Sequence, residues 1–159
     1  MYLKDKATMI KEDEKVLLED LGTRMIHGVI VNTPKGDGYL GAINLTIFGH
    51  ILGVNVNATK RENFPLDECK PYLRPMSSMT EEEKRELQSF YPGSFGNQWL
   101  DVEKGEIYIF ECGSTIKLYL NDSVEIVAWL NAYHFDYRGL IEKGLALPAP
   151  KGMYNVKGE

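Results

Sequence analysis

His134, Asp136, Tyr137 and Arg138 crowd into one short stretch near the end of the chain. An imidazole, a carboxylate, a phenol and a guanidinium so close together can move a proton, hold a ligand or contact a partner. One histidine and one aspartate supply only two metal ligands. The other histidines, His27 and His50, fall in a different part of the sequence. The architectural reading has the greater weight: Asp136 caps the segment that follows and the aromatic rings pack. His134, Asp136, Tyr137 and Arg138 remain the candidate binding residues. No set of side chains converges convincingly enough in sequence to be assigned as catalytic.

Three other groups could carry chemistry. Cys112 sits with Gly113 and Ser114 in an expected hairpin turn, and a nucleophile there needs a base that the local sequence does not supply. Cys69 precedes a proline-rich stretch and reads as a small buried hydrophobe. Gly36, Gly38 and Gly41 spell a dinucleotide-binding fingerprint. That fingerprint requires a helix opening at the glycines, whereas residues 40–48 alternate like a strand, so a hairpin turn is the better reading. No cofactor and no metal are implied.

The elements that must hold these groups follow from periodicity. Residues 12–21 place Val16, Leu17, Leu18 and Leu21 near helical spacing, and Gly22 is the expected stop. Residues 29–31 are β-branched, residues 34–38 are dense turn punctuation, and residues 40–48 and 51–56 read as strands. A fourth short strand is expected after Pro65. Pro71 and Pro75 keep residues 70–75 extended, either as a rigid strap or as a docking strip. Thr80 and Glu83 form a capping box for a surface helix reaching about Phe90. Residues 91–104 read as a loop. Residues 107–110 and 115–120 form a hairpin. Residues 121–123 cap a helix through about Tyr133, with Ile126, Trp129, Leu130 and Tyr133 as its apolar stripe. A last helical turn or two over 138–143 stops at Gly144, and 151–159 is expected to be a loose tail.

The fold class this predicts is α+β. A small bent antiparallel sheet, possible as an SH3-like barrel, comes first. A helix, a β-hairpin and C-terminal helices follow. The 159 residues suit one compact domain, with a subdivision into a β-rich part over 1–75 and a helix-hairpin-helix part over 76–150 as the alternative. Apolar residues at 43% and charged residues at 26% are ordinary for a globular chain and argue against general disorder. The net charge of −5 falls entirely after residue 75. No basic stripe exists to neutralise phosphates, so nucleic acid is not the expected partner. Lys35, Lys60, Arg61 and Tyr39 near the turns of the β part are the residues a weak single-strand binder would use. No signal segment and no long apolar run occur, so membrane association is not expected and the cytoplasm is the expected compartment.

Two segments carry a family likeness. Residues 70–83 read KPYLRPMSSMTEEE and residues 134–146 read HFDYRGLIEKGLA. Together they resemble a set of small proteins encoded by phages and prophages of gut bacteria, in which a variable β-rich front precedes these phrases. The resemblance spans about residues 65–154. It implies a phage or mobile-element setting and brings no reaction and no catalytic residue with it. The function expected is a non-enzymatic protein-binding module with a host or phage protein as partner. A small hydrolase or nucleotide-modifying enzyme centred on His134 and Asp136 is the alternative.

Overall fold

The structure, a computed structural model, describes residues 9–58, 60–90, 99–103, 106–111, 114–119 and 124–158. The architecture is α+β. The chain divides into two compact units between Pro71 and Tyr72.

The first unit opens with α1, Lys11–Arg24. The helix runs straight through Gly22, where a glycine costs about 1 kcal/mol relative to alanine. Its last turn is held by a fully buried pair: Arg24 donates from Nε and Nη2 to both Asp20 oxygens at 2.8 and 3.0 Å. The chain stops instead at Gly28, whose φ of 72° closes a short 3-10 turn over Met25–His27. Leu17 and Leu21 are completely buried.

Four antiparallel strands follow: β1, Ile30–Thr33; β2, Gly36–Thr46; β3, Gly49–Val56; and β4, Lys60–Pro65. The fingerprint glycines all lie in β2, so no helix meets them. Gly38 is required by packing: a Cβ there would stand 2.3 Å from the Asn55 carbonyl oxygen. A bulge between Leu40 and Ala42 shifts the register against β3. The inward row joins Leu40, Val54, Leu52 and Phe64, all buried. The fourth strand thus ends at Pro65 rather than following it. Proline is tolerated there because a strand end need not donate.

β5, Lys70–Leu73, spans the division. Lys70 and Pro71 pair with Asn32 and Val31 of β1. Tyr72 and Leu73 pair in parallel with β6, Leu147–Pro148. The strand order is β4-β3-β2-β1-β5-β6. These pairings leave β4 as an edge and do not close a barrel. The charged residues Lys60, Arg61 and Glu62 suit an edge strand, because they discourage pairing with a further chain.

In the second unit, α2 covers Glu81–Ser89 and α3 covers Val124–Ala132. Leu87 of α2 packs with Ile126, Trp129, Leu130, Phe135 and Tyr137. The expected hairpin is present as β8, Glu106–Glu111, and β9, Ser114–Tyr119. A third strand, β7, Trp99–Glu103, pairs with β8, so these strands form a sheet of their own. The expected loop over 91–104 therefore contains a strand. The proposed caps at 121–123 lie outside the described residues.

Candidate functional site

His134 lies two residues past the end of α3, in the turn that closes it. Its N–H donates to the Asn131 carbonyl at 3.1 Å and the Phe135 N–H donates to the Leu130 carbonyl at 3.0 Å. Those two bonds are the Schellman closure of a helix. His134 occupies the left-handed position of that closure, with φ 61°. Glycine is the usual occupant, because a side chain there costs about 1–2 kcal/mol. The imidazole ring instead stacks on Tyr154, centroids 4.0 Å apart. It is 4% exposed.

Asp136 spends both carboxylate oxygens on the backbone. Leu140 N–H donates to Oδ1 at 2.8 Å and Ile141 N–H to Oδ2 at 2.9 Å. The segment it caps is one hydrogen-bonded turn, not a full helix, and it closes at Gly144 with φ 73°. Tyr137 is buried and donates its hydroxyl to Asn131 Oδ1 at 2.8 Å. Arg138 is half-buried, donates from Nε to the Tyr137 hydroxyl at 3.3 Å and lies over that ring. The four candidate binding residues are therefore brought together, but as a corner of the fold. Arg138 alone among them keeps substantial exposure.

The two sequence phrases meet at this corner. Arg74 N–H donates to the His134 carbonyl and Asp136 N–H donates to the Arg74 carbonyl, each at 2.8 Å. The Arg74 guanidinium lies 4.2 Å from the centre of the Phe135 ring. It grips Glu83 with two bonds of 2.8 Å, and both side chains are buried. Burial pushes the Glu83 carboxyl up, but the Arg74 bonds and the Thr80 N–H more than offset this and hold it below the ordinary range. The capping box is complete, with Thr80 Oγ1 accepting from Glu83 N–H at 3.2 Å. Glu81 and Glu82 are the exposed members of this acidic turn, while Glu83 is a core residue.

The last residues are fastened rather than loose. Thr80 Oγ1 donates to the Lys157 carbonyl at 2.6 Å, Lys157 Nζ bonds Glu86 at 2.7 Å, and the Tyr154 hydroxyl donates to the Tyr72 carbonyl at 2.9 Å. The bond to Glu86, with help from Tyr133, raises the Lys157 ammonium above its ordinary value. A groove of about 300 Å³ lies between this strap and Arg74, Pro75 and Ser78.

The first unit presents a different surface. The turn between β2 and β3 is built by Thr46, whose Oγ1 accepts from Phe48 N–H at 3.1 Å and donates to the Gly49 carbonyl at 2.9 Å. Ile47 and Phe48 at its tip are 93% and 88% exposed. Leu45, one pair back, is 76% exposed. Leu45 shares a face with Ile43, which pairs with the fully buried Leu52. The inward apolar row thus runs past the end of its cover. Sequence reasoning missed these residues. The available signal was an Ile-Phe pair at a position where turns normally carry Gly, Asn, Asp or Ser.

Beside the tip, His50 Nδ1 lies 2.7 Å from Glu14 Oε1, joining β3 to α1. The residues weighed for single strands are partly committed elsewhere. Lys35 pairs with Glu62 at 2.9 Å, and the Arg61 side chain lies over Gly41 and Gly53, where any Cβ would crowd it. Tyr39 stays half-exposed. Cys69 is 2% exposed, and burial, reinforced by Glu68 and Asp67, pushes its thiol up to about 12. Such a thiol is inert at neutral pH. Cys112 lies outside the described residues. Among the described residues no cluster of His, Cys, Asp and Glu could hold a metal ion, and no helix is long and apolar enough to cross a membrane.

No protein-family model, no curated protein and no solved structure matches this chain.

Proposed function

We propose that this chain is a non-enzymatic protein-binding module, of the accessory kind that phages and mobile elements encode, and that it holds a host or phage protein through the β2–β3 hairpin tip. The observation that carries this reading is the exposure of Leu45, Ile47 and Phe48 together. Single exposed apolar residues are ordinary, but a contiguous group at a projecting turn marks an interaction surface. The resemblance of residues 70–83 and 134–146 to phrases of phage-encoded proteins is what supports the setting. An enzymatic reading has less behind it, because Asp136 is engaged by the Leu140 and Ile141 N–H groups as the cap of a turn.

Site-specific photo-cross-linking tests the proposal. A photoreactive phenylalanine analogue replaces Phe48 in one variant and Arg138 in another. The expected result is one discrete protein adduct from position 48 and none from position 138. Adducts from position 138 alone, or none from position 48, would refute the hairpin reading.

A further inference from the structure

The hairpin tip borders a groove of about 290 Å³ in the first unit. Phe48, Pro65 and Leu66 contribute apolar wall, and Glu14, His50 and Asp67 contribute its charged and polar groups. Among the described residues no lysine or arginine lines it. Resting on the reading of the tip as a protein contact, we infer that the partner segment is both apolar and basic: an aliphatic or aromatic side chain covers Ile47 and Phe48, and a neighbouring lysine or arginine enters the groove.

The chemistry of the walls suits such a side chain. A lysine or arginine lays its methylene stem along apolar surface and keeps its charged head toward carboxylates. Here the stem would lie against Phe48 and Leu66, and the head would reach toward Glu14 and Asp67. The exposed aromatic face of Phe48 adds a cation–π contribution for a guanidinium. Asp67 is exposed at the groove, and Glu14 holds His50 through one oxygen. The same charges argue against a membrane occupant, because an anionic lipid surface repels a carboxylate-lined groove.

The test uses the full chain against a displayed library of random peptides, with a counter-screen on Phe48→Ser. The expected peptides place lysine or arginine next to a large apolar residue. Their affinity should fall about 30-fold or more with Phe48→Ser, the loss typical of a central contact residue. It should fall about 5-fold in Glu14→Gln/Asp67→Asn, with a weaker dependence on salt. Tip-dependent peptides lacking basic residues would overturn this inference and leave the protein-binding reading standing. Self-association abolished by Phe48→Ser would also overturn it, with a second copy as occupant. Absence of any tip-dependent peptide would overturn both readings. Tip-dependent sedimentation with phosphatidylcholine or phosphatidylserine vesicles, without peptide binding, would overturn both in favour of a membrane.

Discussion

The unit that ends at Pro71 and the unit that begins at Tyr72 each bury one charged pair, Asp20 with Arg24 and Glu83 with Arg74, and differ in what else goes against ordinary burial. The second buries polar groups: Arg74, Glu83, Asn131, His134 and Asp136 are all at least nine-tenths covered. The first leaves apolar groups in water: Leu45, Ile47 and Phe48 are all more than three-quarters exposed. Buried polar groups are tolerated only when their hydrogen bonds are made. Here they are spent on a helix end, a capping box and one tight turn. Exposed apolar groups gain nothing from the fold and gain only from a partner. The residue types that suggest chemistry thus perform architecture, and the residues that suggest core form the surface most suited to contact.

Substitutions that separate stability from binding would sharpen this contrast. The largest effect should come from Glu83→Leu. It strands the Arg74 guanidinium in the core and should cost about 3–5 kcal/mol in equilibrium denaturation. Replacing both partners together, Arg74→Met with Glu83→Leu, should recover most of that loss, since an apolar pair of similar volume is often neutral. A double mutant as unstable as the single would break the claim that the pair is architectural.

Next in size is Asp136→Ala, which leaves the Leu140 and Ile141 N–H groups without their acceptors. The expected cost is about 1–3 kcal/mol. If denaturation shows no loss, Asp136 has another role.

The pH dependence of Glu83 gives a subtler check. Its carboxyl is held below the unfolded value of 4.5. The stability this group contributes is therefore fully present above pH 4.5 and disappears as pH falls through its lower folded value. The stability gap between wild type and Glu83→Gln should stay constant above pH 4.5 and narrow below it.

The smallest effect concerns Cys69. In a Cys112→Ser background, a thiol reagent at neutral pH should modify the native chain only as fast as it opens, and should modify it promptly in denaturant. Rapid native modification would show that the β part exposes Cys69.

Much of the second unit was legible in sequence. The capping box at Thr80 and Glu83 is a local pattern, and local patterns survive into the structure. The α3 stripe and the stop at Gly144 are similar cases. The partner of Glu83 was not legible, because Arg74 reaches it through the fold and not through helical spacing. The strand over 99–103 was hidden by glycine and proline punctuation just before it. The C-terminal strap was hidden because Tyr154 and Lys157 find their partners, Tyr72, His134 and Glu86, at long sequence separation. Gly22 was misread as a stop because the Asp20–Arg24 pair that carries α1 beyond it is buried, and spacing alone does not show burial. A break between β2 and β3 was legible, but it was read two residues late: Ile47 and Phe48 were counted into the strand over 40–48, whereas they form the turn between Thr46 and Gly49. Their exposure was missed because an apolar pair reads as core until the end of the core is known.

The account's central claim is that Phe48 serves contact and not folding. It is tested most directly by measuring peptide affinity and denaturation midpoint on the same Phe48→Ser sample. The account predicts an affinity loss of about 30-fold with a stability change within about 0.5 kcal/mol. Unchanged affinity, or a loss of stability that accounts for the loss of binding, would contradict it.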